Sequence, residues 1–284
     1  MKQLFVSIAA ILLAISAWAV PARPGAFDYI QPDGSVVRLE LHGDEFFSWA
    51  TLAGTNQVVE LDANGFWRNG SIDPAARKAA IAFRDEVNRQ RASISPRTHT
   101  DNKMTHGTRH IPVFLVEFQD KSFTLNNPGD QFDALLNQHG YSANGGTGSV
   151  QDYYMDNSHG QFQPIFDVYG PVLLPEKMAY YGGNQGSRHN LHPEIAAFQA
   201  AQMLDSSVDF SQYDHNNDGY VDMLLFYYAG YNEAEGGPAD SLWPHQWSVQ
   251  SSSSSEAKNT LFDGLRLATY FCTSELRGNQ GVNM

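Results

Sequence analysis

The apolar positions follow two different rhythms along the chain. Up to about residue 70 they form short runs of period two, such as Val36-Val37-Arg38-Leu39-Glu40-Leu41, broken by Gly34, Gly43, Gly54, Gly65 and Gly70. That pattern predicts small antiparallel strands and hairpins. Asp73-Pro74 then opens a predicted helix over Ala75 to Arg91, with Asp73 as N-cap and Pro74 in the first helical position. The polar stretch from Ser93 to Thr108 reads as an exposed linker or processing site.

From His110 onward the rhythm changes. Ile111 to Phe118 is a continuous apolar run of strand length. Asp130 to His139 predicts a helix with Phe132, Leu135 and Leu136 on one face, and Ser149 to Met155 a second helix start. Phe162 to Leu174 returns to strand, and Pro193 to Leu204 is a strongly apolar helix. Val221 to Gly230 reads as one buried strand. Gln250 to Ser255 is a glutamine and serine run expected to form a mobile loop, and Leu265 to Phe271 is one more strand. Beyond it, Ser274 to Met284 supplies no element to close the core. Alternating strands and helices predict an α/β unit, preceded by a small, mostly β unit with one helix.

Composition narrows the setting. The 284 residues are 42% hydrophobic and 17% charged, which is globular. A net charge of -13 argues against nucleic acid or an anionic membrane surface as the main partner. Lys2, the apolar run Leu4 to Ile15 and Ala17-Trp18-Ala19 have the order of a secretory signal over residues 1–19. The expected protein is therefore secreted or held at the cell surface, without membrane contact beyond export. Cys272 is the only cysteine, so no intrachain disulfide forms, and its strand-like setting makes it a core thiol before a nucleophile.

The densest chemical signal is Asp214-His215-Asn216-Asn217-Asp218-Gly219-Tyr220-Val221-Asp222. Side-chain oxygens stand at Asp214, Asn216, Asp218 and Asp222, Tyr220 offers a backbone carbonyl, and Gly219 occupies the sharp turn. Oxygen ligands at this spacing suit a hard cation, and Ca2+ above others. Leu225 stands where an EF-hand places its bidentate Glu, and a strand follows in place of a helix, so a shorter calcium loop fits better. The plain alternative is a metal-free Asx turn. No H-E-x-x-H zinc motif is present. The pair His106 and His110 lacks the Glu, and His189 and His192 flank a turn. Trp243-Pro244-His245-Gln246-Trp247 offers Trp243 and His245 either as cleft-lining residues or as a packed corner.

Several blocks together resemble a known family. Gly148 to Phe162 (GSVQDYYMDNSHGQF) is similar to the S-V-x-D-Y-Y-x-x-x-S-x-G-x-F block of the M6, immune-inhibitor-A-like metallopeptidases. Asp209 to Asp222 with Tyr228-Ala229-Gly230, and Leu242-Trp243-Pro244-His245, resemble further blocks. Gly43-Asp44-Glu45-Phe46 and Gly65-Phe66-Trp67 look like the prodomain before such enzymes. The resemblance implies a secreted zinc metalloendopeptidase precursor acting on polypeptides. Its parts would be a signal at 1–19, a prodomain and linker at 20–108, and the upstream part of an α+β zincin-like catalytic domain at 109–284. It also implies that the zinc helix H-E-F-x-H-x-x-G follows a segment like Tyr270 to Met284, so no catalytic or zinc-binding residue is assigned within these residues, and the chain alone is expected to be inactive. A non-catalytic exported calcium-binding module is the alternative.

Overall fold

A computed structural model of the chain describes residues 21–62, 64–93, 106–185, 190–278 and 282–283. The signal segment, most of the linker, His189 and part of the C-terminal tail lie outside the described residues.

The period-two runs form a five-stranded antiparallel meander. Its strands are β1 (Ala26–Ile30), β2 (Val36–Asp44), β3 (Phe47–Leu52), β4 (Val58–Leu61) and β5 (Trp67–Asn69), in that spatial order. One face buries Phe27, Leu39, Ala50 and Val59. The helix α1 (Pro74–Ser93) begins where the Asp-Pro pair places it, and the Asp73 carboxylate accepts from the Ala75 backbone N–H at 2.8 Å.

The second unit is built on a mixed sheet. β6 (Gly107–Glu117) pairs in parallel with β7 (Phe162–Leu173) on one side and β9 (Leu224–Tyr231) on the other. β12 (Thr269–Arg277) continues the parallel order beside β9, and β10 (His245–Ser248) closes that edge antiparallel. The strand order is β10-β12-β9-β6-β7. Successive residues of β6 enter opposite cores. Phe114 and Val116 join a large cluster with Ala197, Ala200 and Phe210, while Val113 and Leu115 join a smaller one with Phe132 and Leu136. Both faces of the strand are covered, which is why its sequence is a continuous apolar run without alternation.

Helices flank both faces. α2 (Pro128–Asn137) and α3 (Val150–Asn157) pack beside β7 on the smaller cluster. Ser149 caps α3 in a reciprocal capping box with Asp152. The short α4 (Met178–Gly182) and α5 (Pro193–Leu204) cover the larger cluster.

Three expectations change in three dimensions. The run expected as one strand from Val221 to Gly230 is divided: β8 (Tyr220–Val221) pairs in parallel with β11 (Arg266–Leu267), and β9 starts only at Leu224. Asp222 makes the break, because its backbone N–H turns back to the Tyr213 carbonyl at 2.9 Å. The serine-rich run is not a plain loop. It forms a 3-10 turn at Val249–Ser251 and leads into α6 (Ser255–Asn259), and the Gln250 amide donates to the carbonyls of Leu267 and Lys258 at 2.7 and 3.1 Å. The last segment is also structured. β12 runs on to Arg277, and β13 (Val282–Asn283) folds back to pair with it.

Candidate functional site

The β10 edge borders a cavity of about 310 Å3, whose walls come from both units. Glu45 and Phe46, in the turn between β2 and β3, line one side. His192 and Glu194, around the start of α5, and His245 and Trp247, on β10, line the other. The turn is fixed from within its own unit. Asp44 Oδ1 accepts from the backbone N–H groups of Phe46 and Phe47 at 3.0 and 3.2 Å. Arg84 on α1 lies 3.6 Å from the Asp44 carboxylate, and Phe46 meets Phe83 edge to face. Ser48 Oγ then reaches across to Glu233 at 3.4 Å, and the Arg23 backbone N–H donates to the Ala234 carbonyl at 2.9 Å.

Of the two residues proposed as cleft-lining, only His245 reaches the cavity wall. Trp243 is 1% exposed and packs against Ala22 and Ala234. His245 is itself buried and fully engaged. Nδ1 lies 2.6 Å from the Trp243 carbonyl and donates to it, which leaves Nε2 to accept from the Tyr270 hydroxyl at 2.9 Å. Cys272 Sγ is 3.4 Å from His245 Nδ1, but burial pushes the thiol up to about 12. The neutral form dominates, so the pair is no thiolate nucleophile. His192 donates from Nδ1 to the Tyr180 carbonyl at 2.8 Å and stacks on the Tyr180 ring.

Of the pair His106 and His110, the second is held by a carboxylate. His110 Nδ1 sits 2.9 Å from Asp167, and the Tyr213 hydroxyl donates to the same carboxylate at 3.0 Å. Tyr169 continues the network 3.0 Å from the Tyr213 hydroxyl. Burial, first of all, raises the Tyr213 hydroxyl far above the ordinary phenol range.

The Asp214–Asp222 loop shares no residue with the cavity. Asp214 accepts from the N–H groups of Asp218 and Gly219 at 3.0 and 2.8 Å, Asn216 from Asp218 N–H at 2.9 Å, and Asp218 from Tyr220 N–H at 3.1 Å. Gly219 has φ +83, the left-handed conformation that the sixth position demands. Burial raises the Asp222 carboxyl above the ordinary range, against the opposing bonds from His215.

Sequence reasoning missed a buried carboxylate with four hydrogen bonds. Glu275, near the end of β12, is 1% exposed. Its Oε1 accepts from Thr124 N–H, Thr124 Oγ and Leu125 N–H at 2.7, 2.7 and 3.0 Å, and Oε2 from Gly230 N–H at 3.2 Å. One side chain thus ties the loop after β6 to the ends of β9 and β12. The available signal was a lone charge in a strand between Ser274 and Leu276.

A mixed sheet with helices on both faces is consistent with a peptidase domain. The match to known families is specific. The model described as immune inhibitor A peptidase M6, catalytic domain, covers residues 98–282, about two thirds of the chain, and the protein belongs to this family of metallopeptidases. No curated protein matches the chain.

Proposed function

We propose that the chain is the precursor part of a secreted, M6-like zinc metalloendopeptidase that hydrolyses peptide bonds in polypeptides. The observation that carries the reading is the family match over residues 98–282, which spans the whole mixed sheet and the β10 edge. It favours a peptidase over a non-catalytic calcium module. In this reading residues 1–19 are the signal, and residues 20–108 are a prodomain and linker, with the β2–β3 turn set against the cleft. The domain from 109 onward is zincin-like and is released for activity by cleavage in the linker. Calcium has a structural role at Asp214, Asn216, Asp218, Tyr220 and Asp222, and zinc the catalytic one.

The zinc does not fit the residues present. Among the described residues no three His, Cys, Asp or Glu side chains are placed to hold a metal ion, and the sequence contains no H-E-x-x-H. No zinc-borne step is therefore assigned to any of them. What this chain supplies is the sheet, the edge strand and the cleft walls on which a polypeptide would be oriented. Among the described residues no helix is long and apolar enough to cross a membrane.

The test compares casein cleavage by the 284-residue chain with cleavage by a chain extended through whatever follows codon 284 in its gene. Chelator-sensitive cleavage by the extended chain alone supports the reading. A stop codon directly after codon 284, or an extended chain that leaves casein intact after its linker is cut, overturns it.

A further inference from the structure

β7 is the last strand of the mixed sheet and, among the described residues, pairs only with β6. Its outer side therefore carries backbone groups that no strand meets, and such an edge is a template for another chain. In the first half of β7 side chains meet them instead. Asn137, the last residue of α2, donates from Nδ2 to the Phe166 carbonyl at 2.8 Å and accepts at Oδ1 from the Phe166 N–H at 2.9 Å. A second Nδ2 bond, 2.8 Å to Asp133 Oδ1, holds the carboxamide in that orientation. Gln151 of α3 donates from Nε2 to the Pro164 carbonyl at 2.7 Å. Pro164 has no N–H to offer, and a proline inside a sheet belongs on such an edge. The helices themselves lie on the face of the sheet. Phe132 and Leu136 of α2 pack with Val113 and Leu115 of β6, and Val150 of α3 packs against the same cluster. Asn137 thus hangs over the edge from the face, and its carboxamide covers the Phe166 backbone.

We propose that Asn137 is an edge guard: its carboxamide stands in for the strand that β7 lacks and keeps a second copy of this chain from adding its own β7 there. In a hydrogen-bonded pair of antiparallel strands, two facing residues exchange both N–H···O bonds. Asn137 makes that same pair of bonds with Phe166. Two copies meeting about a two-fold axis would set β7 against β7, antiparallel, with Phe166 facing Phe166 and the same two bonds exchanged between chains. The segment from Phe162 to Phe166 is aromatic and apolar at Phe162, Ile165 and Phe166, a composition that suits strand pairing once the backbone is bared. Gln151 occupies one carbonyl only, so the guard rests on Asn137. This inference stands on the sheet edge alone and is independent of the peptidase reading.

The test is sedimentation velocity of the whole chain and of Asn137→Ala over a range of concentrations, with amide hydrogen exchange at Phe166. Asn137→Ala should double in mass as concentration rises, over a range in which the parent does not. Its Phe166 amide should exchange at least about tenfold faster than the parent's in dilute solution, since one hydrogen bond is lost, and slow again in the associated form. Asn137→Ser, a smaller change that cannot reach both backbone groups, should behave alike and serves if Asn137→Ala does not fold. Asn137→Asp is the control. One oxygen still accepts from the Phe166 N–H, the other repels the Phe166 carbonyl, and each copy now carries a charge where the two would meet. It should melt below the parent and keep the parent's mass, because charge on an edge strand opposes pairing. A folded Asn137→Ala or Asn137→Ser chain that keeps the parent's mass at every concentration overturns the proposal. Equal association of the Asp and Ala variants also overturns it, since a destabilised chain would then be sticking without strand pairing.

Discussion

Replacing Glu275 by Gln changes one atom of a buried side chain and should cost the fold a large part of its margin. The carboxylate meets four donors: three on Oε1 and Gly230 N–H on Oε2. Glutamine can keep its carbonyl at the Oε1 position, but its amide NH2 then faces Gly230 N–H, donor against donor. Gly230 is buried, so its N–H is left unsatisfied, at about 1–3 kcal/mol. The three bonds on the other oxygen survive but lose their charge assistance, which roughly halves each of them. Thr124 is exposed, so water recovers part of that loss. Relief from burying a charge offsets a little more. The net expectation is a destabilisation of about 2–4 kcal/mol. For a chain of this size that lowers the melting temperature by roughly 5–15 °C. Urea unfolding gives the free energy, and amide hydrogen exchange at Gly230, Thr124 and Leu125 gives the location, with Gly230 losing the most protection. A loss below about 1 kcal/mol with unchanged exchange at Gly230 would refute the idea that this carboxylate holds the three strand ends together.

Other expectations are more local. Gly182→Ala should destabilise by about 1–3 kcal/mol or more, because a Cβ there would fall 2.6 Å from the Ser241 carbonyl carbon, with no flexible side chain to move aside; a melting temperature equal to the parent would contradict the packing. Asp152 is held well below the usual carboxylate range, chiefly by Ser149 N–H, then by His139 and Gly140 N–H, while the Asp152 hydrogen bond raises His139. A depressed carboxyl adds stability above its unfolded value near 3.9 and loses it as pH falls through the folded value, and a raised histidine adds stability below about 6.5 and loses it as pH rises. The gap in melting temperature between the parent and Asp152→Asn should therefore be widest near pH 5–6 and close on acidification, and a gap that does not vary with pH would dismiss this pair. Cys272 should resist a thiol reagent at pH 8 in the folded protein and react once unfolded in guanidinium, whereas fast labelling of the native chain would show an accessible thiolate.

The amino-acid sequence by itself determined the elements whose cause is local. Asp73-Pro74 starts α1 because a cap and a fixed φ act within one turn. Ser149 with Asp152 starts α3 for the same reason, and Pro193–Leu204 is a helix over the range its apolar pattern predicts. The apolar run from Ile111, read as a strand from its length, lies largely within β6. Gly219 at φ +83 is where the oxygen-rich loop required it. The family, too, was legible in blocks such as GSVQDYYMDNSHGQF.

Tertiary structure decided whatever depends on residues distant in the chain. The break at Asp222 arises because its N–H finds Tyr213 and because β8 pairs with β11, more than forty positions later in sequence. Trp243 and His245 are two residues apart, yet one is sealed under the first unit and the other lines the cavity, since only the docking of Ala22 and Ala234 determines which is covered. Glu275 looks like a surface charge in sequence and becomes a buried anchor because Thr124, Leu125 and Gly230 turn their donors toward it. Hydrogen bonds and burial between distant segments leave no periodicity behind, so the roles of Asp222 and Glu275 emerge only once the chain is folded.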